Sequence, residues 1–322
     1  MSLKVVNLSK RYNDMWALRD VSLETATGEV FGLFGPAGSG KTTLLKAIEG
    51  KFPLNGGSVQ VNTTDVTALA GTARKITVPE YESPSIWRRV FNDENSATKV
   101  DARSRAVLRA IESADSVLLL DDPLCGMDAG EREALADKIR NVARERGVSV
   151  LFASNDFGQI LRACDRAAVI VKGEIKQSGP PQEIYEKPES RVVAYVTGRN
   201  NLFAARRLTS SKAETPEFFT IDGGHRLFAQ RIERGALGAL NQNVTLAIRP
   251  EQVSISFGAS FPEDNLLKAS VRRIQCLGPT TLIELDADGL RLDALVLRVV
   301  GLDVGAECMV GLPPDRIQIF RD

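Results

Sequence analysis

The 322 residues carry 41 basic and 41 acidic side chains and no formal net charge, a length comfortable for two domains and a balance that gives no electrostatic case for nucleic acid or an anionic membrane surface. The four cysteines, Cys125, Cys164, Cys276 and Cys308, stand far apart without CxxC or metal-ligand spacing, which predicts reduced thiols and excludes a disulfide framework. Apolar runs such as residues 117–120 are well short of a bilayer span and residues 1–12 lack a signal-peptide core, so any membrane association is expected to run through a partner.

Residues 3–8, 21–24 and 30–34 run or alternate apolar in the manner of strands, separated by the turn signals Tyr12-Asn13-Asp14 and Thr27-Gly28. Tyr12 reads equally as a surface tyrosine at a strand end or as a ring stacking on adenine. The third strand leads into Gly35-Pro36-Ala37-Gly38-Ser39-Gly40-Lys41-Thr42-Thr43 and then a helix from Lys41 to about Glu49. This is a phosphate-binding loop. Its glycines let the backbone turn tightly with N–H groups facing phosphate oxygens, Lys41 reaches the β/γ-phosphates, and the Thr42 hydroxyl can ligate Mg²⁺ with Thr43 beside it.

A turn over 52–57 and a strand at 58–61 follow, then a strand at 74–78 closed by Pro79. Residues 80–100 are irregular and polar. Asp101 is placed to cap a helix running through Ser113, with Val107, Leu108 and Ile111 on its apolar face. The buried strand 116–120 ends in Asp121-Asp122-Pro123. A strand whose carboxyl end finishes in a carboxylate beside a phosphate loop is where a Mg²⁺–nucleotide site takes its second metal contact, so Asp121 is the candidate.

A helix over 131–146, a strand over 148–153, a helix over 157–164 and a hairpin around Lys172-Gly173 continue the alternation, predicting an α/β P-loop NTPase domain with a mostly parallel sheet. Residues 180–195 read as helical and interrupted at Pro188. From about Asn200 the chain becomes short strands and turns, spaced as in a small β-barrel, so the domains are expected at 1–199 and 200–322. Asn201-Leu202-Phe203-Ala204-Ala205 returns as Asn265-Leu266-Leu267-Lys268-Ala269, each copy leading into an Arg-Arg pair, which predicts two related half-units. His225, the single histidine, falls in a loop signal and reads as a surface residue.

The phosphate loop, the run Leu118-Leu119-Leu120-Asp121-Asp122-Pro123 and the following Gly126-Met127-Asp128 together resemble the ATP-binding subunits of ABC transporters. Lys172-Gly173-Glu174-Ile175 and residues 179–188 look like the end of that domain in importer subunits for sugars, polyamines and ferric iron. Ile248-Arg249-Pro250-Glu251 and the β-rich tail resemble their TOBE domain, an OB-like barrel. The resemblance implies ATP and Mg²⁺ as cofactors and Tyr12 as the adenine-stacking aromatic. It makes Asp121 the Walker B acid and puts Asp128 in the D-loop at a dimer interface. It also implies transmembrane permease subunits as partners, a homodimer or a heterodimer with a second nucleotide-binding subunit, and a cytoplasmic position peripheral to the inner face of the membrane.

The chain departs from that family pattern where the ATPase cycle is operated. Glu80 stands at the Q-loop glutamine, Asp122 at the catalytic glutamate and Asn155 at the switch histidine; Ala97-Thr98-Lys99-Val100-Asp101 occupies the signature with none of its glycines. Few residues separate Glu80 from Ala97, where the family places a helical subdomain, so that subdomain is expected to be shortened. An aspartate reaches one C–C bond less far than a glutamate, and asparagine can hydrogen-bond a phosphate without carrying an imidazole's charge. The expectation is an importer ATP-binding subunit that binds ATP and hydrolyses it weakly. The alternative is a nucleotide-binding regulatory or scaffold protein without transport coupling; co-purification with a permease discriminates the two.

Overall fold

Leu3, Val5 and Leu8 are buried along β1 (Leu3–Tyr12), and Leu18, Val21 and Leu23 face the same core from β2 (Met15–Thr25). In the computed structural model the two form an antiparallel hairpin, with Tyr12 opposite Met15 across the Asn13-Asp14 turn. The strands run further than the sequence suggests, because apolar alternation marks only their buried parts. The described residues are 2–80, 96–208, 216–229, 240–257, 265–297 and 301–321.

The first of two units, Met1–Glu189, holds two sheets. The hairpin joins β4 (Gly56–Val61) and β5 (Thr64–Asp65) in the order β2-β1-β4-β5. The second sheet is built from β3 (Val30–Phe34), β6 (Ile76–Thr77), β7 (Val117–Asp121), β8 (Ser149–Ser154), β9 (Arg166–Val171) and β10 (Glu174–Gly179), in the order β10-β9-β3-β8-β7-β6. All but the edge strand β10 run parallel. Every residue of β3 and β8 is buried, as expected of parallel strands covered on both faces.

Two expectations need correction here. The strand expected at 74–78 is a short 3₁₀ turn, Gly71–Arg74, followed by only Ile76–Thr77, because Lys75 takes a left-handed conformation at φ 55°. Arg74 is instead buried at 3 % exposure, where its guanidinium donates to the carbonyls of Ala47, Ile48, Leu69 and Thr67 at 2.7–3.0 Å. It caps the C-terminal end of the helix Lys41–Glu49, where orphan carbonyls and the negative end of the helix dipole favour a cation. The helix expected to start at Asp101 runs from Ser96 to Ser113, so Asp101 lies inside it and not at its start. Residues 81–95 fall outside the described part of the chain, and the expectation of a shortened helical subdomain rests on them.

The second unit is Ser190–Asp322. The helix Arg191–Val196 goes with it because Arg249, 2 % exposed, donates to the carbonyls of Ala194 and Arg199 and to Thr197 Oγ1. Ten strands follow: β11 (Asn201–Arg207), β12 (Glu217–Thr220), β13 (Arg226–Phe228), β14 (Asn243–Ile248), β15 (Ser254–Ser256), β16 (Asn265–Cys276), β17 (Thr281–Ala287), β18 (Leu290–Val296), β19 (Glu307–Leu312) and β20 (Gln318–Arg321). They pair as two five-stranded antiparallel sheets, β13-β12-β11-β14-β20 and β18-β17-β16-β19-β15, enclosing one apolar core.

The two sheets repeat one plan. The sequence repeat supplies the central strand of each, β11 and β16, and Asn201 and Asn265 stand opposite Ile248 and Leu312, the last residues of the neighbouring strands. Each asparagine closes on the edge strand of the other sheet: Asn201 bonds the N–H and C=O of Asp293 on β18, and Asn265 those of Phe228 on β13. The last short strands are exchanged, since β15 pairs with β19 and β20 with β14. Buried amides satisfied on both donor and acceptor sides fix a register that apolar packing alone leaves free to slip. His225, half-buried, places Nε2 2.9 Å from the carbonyl of Ala287 in the opposite sheet, so it is a structural contact and not the surface residue expected.

Candidate nucleotide site

The loop between β3 and its helix owes its shape to close backbone approaches. A Cβ on Gly35 would lie 2.2 Å from the Ile170 carbonyl oxygen, and one on Gly40, at φ 110°, would lie 2.8 Å from that of Ala17. Only glycine fits either place. Gly38, also left-handed at φ 75°, faces open space. The loop closes on itself through Ser39 N–H to the Pro36 carbonyl at 3.2 Å and delivers the first N–H groups of the helix Lys41–Glu49 to its mouth, where they suit an anion.

Lys41 is 7 % exposed, and its ammonium donates to the carbonyls of Gly35 and Pro36 at 2.6 and 3.1 Å. Burial lowers its pKa from the ordinary lysine value, while the carboxylates of Asp122 and Asp121 pull the other way. Thr42 Oγ1 donates to Asp121 Oδ2 at 2.8 Å, so the hydroxyl and the carboxylate expected to share a metal are already in contact. Ser39 Oγ is buried and lacks a partner among the described residues. An orphan hydroxyl, a buried ammonium and a glycine cradle fit a phosphate chain, and Thr42 with Asp121 is the oxygen set Mg²⁺ takes.

At the end of β7 the geometry is tighter. Asp122 has φ 46°, unusual for a non-glycine residue, and its N–H donates to the Ala153 carbonyl at 2.9 Å. Its carboxylate accepts the N–H of Asn155 at 3.3 Å, joining two positions that the sequence treats separately. Arg103, on the helix Ser96–Ser113, donates Nη2 to the carbonyls of both Asp121 and Asp122 at 2.8 Å. Glu80 is exposed beyond buried Pro79 and acts electrostatically on Lys51, past the far end of the loop helix. Asp128 caps the helix Ala129–Arg146, accepting from Glu131 N–H at 2.8 Å in a reciprocal capping box. Signature positions 97–101 form the first turns of the helix Ser96–Ser113.

Comparison with known proteins bears directly on this arrangement. The family model described as ABC transporter matches residues 18–136, and that described as TOBE domain matches 246–320. The chain is 30 % identical to the spermidine/putrescine import ATP-binding protein PotA of Rubrobacter xylanophilus, over 91 % of this chain and 86 % of that protein. The chain belongs to the ABC importer ATP-binding subunits that carry a TOBE domain. Other relatives of this ABC subunit include PotA 2 of Pseudomonas aeruginosa, 27 % identical over 91 % of the chain and 90 % of the relative. The Fe(3+) ions import ATP-binding protein FbpC 2 of Rhizobium meliloti is 28 % identical over 94 % and 87 %. A nucleotide-free ATP-binding cassette from an ABC transporter superposes with a TM-score of 0.52 at 18 % identity, covering 62 % of this chain and 99 % of that one, which establishes the fold of the first unit.

Several residues at this ABC site escape the sequence reading. Trp16, Arg19 and Lys172 help line an open cavity of about 370 Å³ over the loop. Tyr12 is outside that lining: its ring meets Phe52 edge-on at 5.9 Å, with the Lys10 ammonium 5.1 Å from its centroid. Trp16 sits four positions beyond Tyr12 on the other arm of the hairpin, and only the register Arg11 opposite Trp16 shows where the indole lies. Arg103 carries no motif at all; three turns of helix bring it to the end of β7.

Proposed function

We propose that this protein is the ATP-binding subunit of an ABC importer in which Mg²⁺-ATP binding is retained and hydrolysis is weak. The importer role is supported by relatives whose names assign them to spermidine/putrescine and Fe(3+) import. Among the described residues no helix is long and apolar enough to cross a membrane, consistent with a subunit that works at the cytoplasmic face through permease partners and pairs with a second nucleotide-binding subunit. The contact that carries the reading is the one between Asp122 and Asn155, alongside a loop whose binding groups stand ready.

In this reading Lys41 leaves the carbonyls of Gly35 and Pro36 for the β- and γ-phosphates, the loop N–H groups and Ser39 Oγ donate to phosphate oxygens, and Thr42 and Asp121 hold Mg²⁺. Bound Mg²⁺ would neutralise charge on the β- and γ-oxygens. Asp122, one methylene shorter than the family's glutamate and held by a backbone N–H, is poorly placed to orient water. Asn155 offers hydrogen bonds without charge, and losing an electrostatic contact of that type costs about 10²–10³ in rate.

Calorimetric titration and phosphate release on the purified chain test this. Expected are Mg²⁺-ATP binding that Lys41→Ala reduces more than about 100-fold, and turnover well below about 1 s⁻¹, the lower end of ordinary enzymes. Brisk steady-state phosphate release by the chain alone, abolished by Lys41→Ala, would overturn the second half of the proposal; absence of nucleotide binding would overturn the first.

A further inference from the structure

Asp122 stands one residue beyond the last paired positions of β7 and β8, where Asp121 lies opposite Ala153, and it takes a left-handed φ of 46° that a side chain disfavours. Strand pairing and the Thr42 hydroxyl fix Asp121. Asp122 has to be held by other means. Its N–H donates to the Ala153 carbonyl at 2.9 Å, its carbonyl accepts Cys125 N–H at 3.2 Å, and its carboxylate accepts Asn155 N–H at 3.3 Å.

Arg103 adds a tie of a different kind. Its Nη2 lies 2.8 Å from the Asp121 carbonyl and 2.8 Å from that of Asp122, and one guanidinium nitrogen carries two hydrogens, one for each oxygen. Those carbonyls belong to the peptide units on either side of the Asp122 Cα. In an extended chain they would point opposite ways, so they converge on one donor only while Asp122 keeps its turn. A charged donor makes such bonds stronger than those from a neutral N–H.

The helix that carries Arg103 is itself well anchored. Ser96–Ser113 buries Ala106, Val107, Ala110 and Ile111, and at its far end Arg146 donates to the carbonyls of Ile111 and Glu112 at 3.1 and 2.7 Å. The remaining bonds to Asp122 come from β8, from Asn155 just after it and from the loop that Asp122 opens. Arg103 therefore joins the turn to an element that is otherwise separate from it.

We infer that Arg103 is a positioning residue: it holds Asp122 in the left-handed turn and so sets where the Asp122 carboxylate points. The consequence for phosphate release rests on the nucleotide reading above, whereas the consequence for the turn does not.

The test is amide hydrogen exchange of the full-length chain, with phosphate release measured in single turnovers. Arg103→Met keeps an apolar stem and removes the donor. It is expected to speed exchange at the N–H groups of Asp122, Cys125 and Asn155 about tenfold or more beyond any change at Val150, Leu151 and Phe152 of β8. Arg103→Lys keeps part of the protection, since its ammonium has the hydrogens for both oxygens on a stem one bond shorter. Arg103→Met is also expected to slow phosphate release several-fold with Mg²⁺-ATP affinity unchanged, and to slow it no further once Asp122→Asn has removed the carboxylate.

Exchange that is unchanged at the three N–H groups, or that rises no more there than along β8, overturns the inference. So does an Arg103→Met that weakens ATP binding as much as it slows release, or one that slows release equally in the Asp122→Asn background. Where the parent chain releases no measurable phosphate, the exchange measurement decides alone, because it needs no nucleotide. A chain that binds no ATP overturns the nucleotide reading and leaves the exchange result to judge the turn.

Discussion

The phosphate loop with its helix and the end of β7 lie side by side, and an arginine donates to main-chain carbonyls at the helix's far end and at the strand's end, yet the two depend on different things. Arg74 grips four carbonyls around the C-terminal end of the loop helix; Arg103 grips two at the end of β7. In the loop the binding groups are chiefly backbone N–H, positioned by glycines and by the helix itself. Side-chain drift elsewhere hardly touches such a site. At the end of β7 the groups that would handle water are side chains, and one methylene or one ring exchanged for an amide changes what they reach. On the proposed function, binding can therefore persist where hydrolysis is weak.

The comparison can be broken most directly at Gly35. Gly35→Ala places a methyl against the Ile170 carbonyl and is expected to reduce nucleotide affinity more than about 100-fold and to lower stability, both read by calorimetry and urea unfolding. A chain that tolerates alanine there would show that the loop is not set by backbone approach. Arg74→Ala, far from any phosphate, strands buried carbonyls and is expected to cost roughly 2–4 kcal/mol in unfolding free energy. Arg74→Lys should recover only part of this, since an ammonium has three N–H donors for four carbonyl acceptors.

Asp122→Glu restores reach at the strand end. It is expected to raise phosphate release by about tenfold at most, with ATP affinity unchanged, because the proposed function assigns part of the weakness to Asn155 and positions 97–101. A full recovery would place the whole defect in that one methylene. The smallest effect is pH dependence. Burial makes Lys41 hold its proton less tightly in the folded chain than in the unfolded one, so between its lowered pKa and the ordinary 10.5 stability should rise with pH relative to Lys41→Met. ATP affinity should fall over the same interval as the ammonium is lost. Flat profiles for both would mean that Lys41 is not buried as described.

Much of the first unit is legible because its signals are local. Apolar runs give β3, β7 and β8, the glycine spacing gives the loop, and the carboxylate ending β7 gives Asp121. Strand ends are harder, since β1 and β2 continue past their buried faces into exposed residues with no apolar alternation. Residues 74–78 mislead for a related reason: an Arg and a Lys beside Ile76 look like an edge strand, whereas Arg74 is buried as a helix cap and Lys75 turns the chain.

By itself the sequence determined the loop, the acid facing it, the β-rich tail and the repeat within it, because each depends on residue types at short, fixed spacing. Only the tertiary structure decided that Trp16 rather than Tyr12 reaches the cavity, that Asp122 meets Asn155, that Arg103 and Arg74 clamp main-chain carbonyls, and that Asn201 and Asn265 each close on the opposite sheet. Those contacts join residues far apart in the chain or turn on the register of a hairpin. A polar side chain carries no mark of its distant partner until the apolar core has folded and brought the two together.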